Sequence, residues 1–403
     1  MAVDPRSLRP PMLSVVAALS IAPALLSWQP SVQVNDVSPG QQDRPDAAMS
    51  VDGAAYLIWD DYRSGNNGDI YFSLRDPVSG SWSANQKVSD DTTGRTQWNA
   101  AIAVDGSGAA YAVWQDQRDG RKTPDTNIYF SQRSGGTWSA NRRVNDDTGA
   151  AALQATPRIA VTTAGGAVAV WEDHRSSQWN VYSSRLAAGG LAWAANLRVT
   201  DNATSRKFDP NVSIGADGTA YAVWDDDRAG NSDVWFSTLL PGASSWTANV
   251  RISDDPGIAA QYEPRIAIAS NGDLYVLWLD DRVPSTEVRM SRLRSGSSTW
   301  EASRVVSDAA AVPASLAVGL ASSGAAFAVW QDARGTSYDV WGAEFDVATD
   351  AWLAPSLVSD DPGATAQMRP TVARTSSQVV VAWRDDRVSG GDIRARSGAA
   401  GGP

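Results

Sequence analysis

Two short strings recur seven times along this chain, and their offset constrains the fold more than any other feature. The first is Trp-x-Asp-x-Arg, beginning at Trp59, Trp114, Trp171, Trp224, Trp278, Trp330 and Trp383. The second is a Trp followed six residues later by Val or Ile, then by Ser, Thr or Asn with Asp behind it. Its copies begin at Trp28, Trp82, Trp138, Trp193, Trp246, Trp300 and Trp352. The second string follows the first in every unit but the last, and Trp28 stands alone before the first unit. A closed ring accounts for both irregularities, because an N-terminal strand then supplies the element missing after Trp383. Periods of 52 to 57 residues lie near those of propeller blades. The expected fold is all-β: a seven-bladed β-propeller of four-stranded antiparallel blades over residues 28–397, closed by the N-terminal strand.

One unit shows how a blade is written. In the third, residues 157–161 read as a short apolar strand A, 162–166 as a Gly-ended turn and 167–171 as strand B. A polar loop with Asp173 and Arg175 follows, then strand C at 180–184 and strand D at 193–200. Four short strands joined in sequence make an antiparallel meander. Strand B carries no charge on either side of its alternation, as in Ala-Tyr-Ala-Val-Trp ending at Trp114. A strand buried on both faces reads this way. Asp105-Gly106, Asp217-Gly218 and Asn271-Gly272 suit tight A–B turns.

Composition removes several function classes. The net charge of −11 and the lack of a basic patch exclude nucleic acid as an expected partner. There is no Cys, and His174 is the only His. Disulfides, thiolate chemistry, His-based triads and multi-His zinc sites are thereby set aside. Residues 1–27 carry Arg6 and Arg9 ahead of an apolar stretch from Met12 to Leu26, with Ala22-Pro23-Ala24 near its end. This reads as a secretory signal, with an N-terminal arm as the alternative. It implies a secreted, cell-surface or periplasmic protein with no membrane insertion once the signal is removed. Residues 398–403 read as a flexible tail.

The hairpin between strands C and D brings a resemblance. In unit two it reads Ser131-Gln-Arg-Ser-Gly135-Gly-Thr137-Trp138. This resembles the Asp-box of sialidase-like, BNR-repeat propellers, Ser-x-Asp-x-Gly-x-Thr-Trp, with Arg133 where the box Asp is expected. Sialidases proper are six-bladed, which is a second departure. The resemblance implies a glycan-acting propeller. A sialidase, however, needs three Arg, a Tyr–Glu nucleophile pair and an Asp acid/base. The chain has no Phe/Tyr-Arg-Ile-Pro segment, and Tyr262 and Glu263 are adjacent rather than separated.

The sevenfold Asp and Arg of the first string are expected to be structural, since a catalytic site is needed once per chain. Asp61 and Arg63 with their six counterparts share one side of an extended segment. Each Arg is expected to pair with its own Asp or with the Asp ending a neighbouring strand D. The run Asp225-Asp226-Asp227 with Asn231 and Asp233 suggests Ca2+ as a minor alternative, but Arg228 opposes it, and no cofactor is expected. The strand D Trp residues are expected to pack blade against blade.

Function is expected where the repeat breaks. The slots before strand A read Gln42-Asp43-Arg44, Gln97-Trp98-Asn99, Gln154-Ala155-Thr156, Lys207-Phe208-Asp209, Gln261-Tyr262-Glu263, Ala311-Val312-Pro313 and Gln367-Met368-Arg369. One slot collects Trp98, Phe208, Tyr262 and Met368; the next varies in charge through Arg44, Asn99, Asp209, Glu263 and Arg369. These nine are the candidate ligand-binding residues, on the face formed by the B–C and D–A loops. The expected function is binding of a glycan or an extracellular protein without catalysis. The alternative is a glycoside hydrolase built on two carboxylates from different blades.

Overall fold

The computed structural model describes residues 26–399 apart from 66, 121–124, 148–152, 203, 362–364 and 389. The proposed signal segment therefore lies almost wholly outside the described residues. Seven antiparallel sheets follow one another around a ring. Strand A of successive blades begins at Gln42, Gln97, Gln154, Lys207, Gln261, Pro313 and Gln367. Blade 4 is representative, with A at Lys207–Ile214, B at Ala220–Asp226, C at Asp233–Leu239 and a short D at Val250–Arg251. The A strands contact one another around the axis, that of blade 7 closing on that of blade 1. Among the described residues, no helix is long and apolar enough to cross a membrane.

Strand B is the buried centre of each blade. All seven of its Trp side chains are 0% exposed. Trp114 packs on Ile58, Ile70 and Phe72 of the preceding blade, and the other clusters repeat this arrangement. The core is thus a set of slabs between blades rather than one central mass. The strand D Trp residues join these slabs from outside: Trp138 meets Phe72 edge-on at 5.3 Å, and Trp193 meets Phe130 at 5.2 Å. Such pairs add about 0.5–1.5 kcal/mol each beyond burial.

The first string is an indole–carboxylate–guanidinium chain. Trp171 Nε1 donates to Asp173 at 2.9 Å, and the Arg175 backbone N–H donates to the same carboxylate at 2.9 Å. The Arg175 guanidinium grips Asp173 at 2.8 Å and also reaches Asp146, at the end of the preceding blade, at 2.8 Å. The two pairings expected as alternatives are made together, and the pattern holds in all seven blades. In five blades the guanidinium also lies over a strand C ring, as Arg228 does over Trp235 at 3.9 Å.

The ring closes through the N-terminus. Ser27 and Trp28 pair with Ala399 and Gly398, and Val32 and Gln33 pair with Ala395 and Arg394. Strand C of blade 7 runs through Asp392–Ala399, two residues into the segment read as a tail. Asp360 of blade 6 accepts the Ser31 backbone N–H at 2.7 Å. Arg133, in place of the box Asp, lies over the Phe72 ring at 5.1 Å and joins blade 2 to blade 1. The A–B turns pass through a left-handed Gly with φ of 82–89° in six blades. In blade 2 that residue is Gly108 rather than Gly106.

Candidate functional site

Every strand A contains the same irregularity. Its pairing with strand B skips two residues near its start in six blades, as between Asp43 and Asp46 in blade 1, and one in blade 6, between Ala314 and Leu316. The first skipped residue is left-handed in all seven blades: Arg44, Asn99, Thr156, Asp209, Glu263, Ser315 and Arg369, with φ of 48–53°. None is Gly, and most are bulky for this region. A bulge re-aims its side chain, and these seven line one cavity of about 520 Å³ on the axis. In blade 6 the slots are Pro313-Ala314-Ser315, which corrects the expected Ala311-Val312-Pro313. Without a Gln to mark the start, the sequence sets that register two residues early; Pro313 pairs with Asp332 as Gln261 pairs with Asp280.

The variable middle residue of Trp-x-Asp-x-Arg holds four of the bulges from the neighbouring blade. The N–H of Thr156 donates to Gln115 at 3.1 Å, and that of Arg369 to Gln331 at 3.1 Å. The N–H of Asn99 donates instead to Asp60 at 3.2 Å, and that of Asp209 to Glu172 at 2.9 Å. A carboxyl therefore replaces an amide at two of these four positions. Burial, with the Asp209 charge beside it, pushes Glu172 up to about 7. Burial also pushes Asp60 up to about 7 despite Arg44 at 3.3 Å. Asp225 of blade 4 is held well above the ordinary range by burial and then by Asp209.

The cavity is polarised. On one arc Arg44, Arg369 and Arg384 surround Asp43 and Asp60 in ion pairs. On the other stand Asp209 and Glu263, with Glu172 and Asp225 buried behind them. Burial raises the Glu263 carboxyl, with Asp209 adding to the shift and Arg265 opposing it. Two residues beyond the bulge, Asp46, Arg158, Asn211, Arg265 and Thr371 form a deeper ring with Ala101 and Ala317. Asp46 accepts the Ile102 N–H at 2.8 Å, and Asn211 accepts that of Ile266 at 3.1 Å.

Of the nine expected residues, Arg44, Asn99, Asp209, Glu263 and Arg369 meet in the cavity. Trp98, Phe208, Tyr262 and Met368 stand apart from its lining, half-buried in strand A beside it. Phe208 lies 6.4 Å from Trp179, whose ring is 5.0 Å from His174. The sequence reading missed Asp60, Glu172 and Asp225, and also Asp46, Arg158 and Arg265. Alternation was the available signal: the residue between the Trp and Asp of the string must face the opposite way. The Asp225–Asp227 run is split by the same rule. Asp226 turns to Trp224 and Arg228, while Asp225 takes the Ser232 hydroxyl at 2.9 Å. Among the described residues, no group of three or more His or acidic side chains has metal-holding geometry. A larger hollow of about 780 Å³ on the hairpin face has only Asp217 and Arg294 as charged lining.

No protein-family model matches the sequence, and no curated protein matches it. Its similarity to solved structures is extensive in fold and low in sequence. A protein of unknown function from Dyadobacter fermentans superposes with a TM-score of 0.58 at 11% identity, covering 93% of this chain and 99% of that one. An ulvan lyase, described as a polysaccharide lyase, gives 0.63 at 11% identity, covering 90% and 95%. A Hadza microbial sialidase gives 0.51 at 13% identity, covering 91% and 68%. Propellers that act on glycans thus recur among the structural neighbours. In fold, this chain is a seven-bladed β-propeller similar to these structures.

Proposed function

We propose that the protein acts on a glycan held in the axial cavity, and that it cleaves the glycan as a glycoside hydrolase. One observation carries this reading: Asp209 and Glu263, on adjacent blades, line the same polar cavity, and Glu263 is biased towards its protonated form by burial and by the Asp209 charge. A carboxyl biased towards its acid form with a second carboxyl beside it is what acid-assisted glycosidic cleavage requires. Glu263 gives its proton to the departing oxygen as the glycosidic bond breaks, the Asp209 carboxylate faces the positive charge that develops at the anomeric carbon, and water adds at that carbon and returns a proton to Glu263. Both side chains project from left-handed bulge positions, and that of Asp209 is locked by Glu172 of the neighbouring blade, so it is held before the substrate arrives. The glycan-acting neighbours are in keeping with this reading. Secretion, cell-surface display or a periplasmic location belongs to the same proposal.

A second reading, binding of a glycan or extracellular protein without cleavage, is favoured by the half-buried Trp98, Phe208, Tyr262 and Met368 beside the cavity. The two are separated by incubating the protein with a panel of chromogenic glycosides and polysaccharides while measuring binding to the same panel. Release of product that is lost in Glu263→Gln and Asp209→Asn supports cleavage. Saturable binding with no product supports the second reading.

A further inference from the structure

Arg158 and Arg265 occupy corresponding places on blades 3 and 5, on either side of blade 4, and both line the axial cavity. Each uses one guanidinium nitrogen to donate to the carbonyl of its preceding proline, Pro157 at 2.9 Å and Pro264 at 3.0 Å. The other cavity-facing cations are paired: Arg44 with Asp60, and Arg369 with Asp43. Among the described residues, Arg158 and Arg265 have no carboxylate within ion-pair distance. They are nevertheless close enough to repel one another: Arg158 is held below the ordinary arginine value first by burial and then by the Arg265 charge. Two unpaired guanidinium groups sharing a cavity are unfavourable unless a ligand completes them.

We propose that Arg158 and Arg265 together bind a tetrahedral oxyanion, sulfate or phosphate, either free or as the ester group of a sugar. A guanidinium binds two oxygens in its fork. Two forks approaching from different blades therefore ask for four oxygens, which a tetrahedral anion offers and a single carboxylate does not. The proline carbonyls fix the forks in advance, so little side-chain freedom is lost on binding. The carboxyls whose charges reach Arg158 or Arg265 include Asp46, Asp209, Glu172 and Glu263, and burial shifts Asp46, Glu172 and Glu263 towards the neutral form, which lessens the repulsion the anion meets from those three. The proposal uses the cavity assigned above to the glycan but does not depend on cleavage.

The test is calorimetric titration of the full chain with sodium sulfate and sodium phosphate against chloride at equal ionic strength. Glucose 6-sulfate, glucose 6-phosphate and glucuronate form the remaining arms. One saturable site for sulfate or phosphate is expected, weakened tenfold or more in Arg158→Gln and in Arg265→Gln and unchanged in Arg142→Gln, which alters an exposed arginine on strand D of blade 2. Melting curves identify any variant that fails to fold, and the second variant then stands in. Tighter binding of a sugar ester than of the free ion assigns the site to the ester; the reverse assigns it to the free ion. Glucuronate binding without sulfate or phosphate binding, or an oxyanion site unaffected by either substitution, overturns the proposal. Sulfate also stabilises proteins by exclusion from their surfaces, but that effect does not saturate. Lack of glycan turnover leaves this result intact, so the two proposals fail separately.

Discussion

Arg228 of blade 4 donates to Asp201 at the end of blade 3 across 2.8 Å while gripping its own fully buried Asp226 at 2.6 Å. The same guanidinium thus closes a turn within one blade and joins that blade to the one before. The joint is reinforced by backbone: the N–H of Asp201 donates to Asn249, and the N–H of Asn249 donates back to Asp201. Arg228→Ala should cost about 3–5 kcal/mol, because Asp226 loses its cation in a dry site. Asp201→Ala should cost less, since that end of the pair is exposed to water and a surface pair contributes about 0–1 kcal/mol. Denaturant unfolding of both single variants and the double variant checks this. Equal costs, or free additivity, would place the energy elsewhere.

Trp224 has 0% exposure and donates to Asp226. Trp224→Ala should destabilise by about 3–5 kcal/mol without altering ligand binding. The check is a melting curve beside a binding isotherm.

Ring closure should be separable from the rest of the fold. Deleting residues up to Asp36 exposes the edge of strand C of blade 7 and removes Val34 from its slab. The truncated chain should aggregate or lose cooperative unfolding. The closure should also be acid-sensitive. Burial alone would raise Asp360, but the Ser31 N–H and the Arg387 guanidinium hold it down at about 2. A depressed carboxyl contributes stability that is complete above its unfolded value near 3.8 and is lost as pH falls towards 2. Asp360→Asn should therefore lower the melting temperature at pH 6 and make little difference at pH 2. Equal effects at both values would contradict the assignment.

Glu172 titrates in the opposite sense. Its folded value of about 7 stands above the ordinary 4.5, so the folded state holds the proton more tightly than the unfolded chain. The resulting penalty is absent below pH 4.5, grows as pH rises to 7 and is complete above it. Gln115 and Gln331 make the same backbone bond in blades 2 and 6, so Glu172→Gln keeps the geometry and removes the charge. The variant should match the parent at pH 4 and exceed it by on the order of 2–3 kcal/mol at pH 8. A pH-independent difference would mean that Glu172 is not the titrating group.

The fold was legible because its determinants repeat. Trp59, Asp61 and Arg63 recur seven times, and the one missing strand D pointed to Trp28. The cavity was half legible. Its charged slot stood out because Arg44, Asp209, Glu263 and Arg369 differ where their surroundings agree. The bulge under that slot was not read, although Pro45, Pro157, Pro210, Pro264 and Pro370 follow it and a proline inside an inner strand marks such an interruption. Missing the bulge hid Arg158 and Arg265, which enter the cavity only because the strand is re-aimed. Blade 6 was misaligned for a related reason, having neither the Gln nor a proline after the slot. Glu172 was overlooked because it lies inside a string otherwise given over to structure.

The most direct test of the central claim is the rate of glycan cleavage by the parent, Glu263→Gln and Asp209→Asn under identical conditions, with melting temperatures recorded on the same samples. The account predicts product from the parent, a loss of at least a hundredfold in each variant, and melting temperatures close to that of the parent. Cleavage that survives both substitutions in folded protein would contradict it, as would a parent that binds glycans in the cavity and never cleaves them.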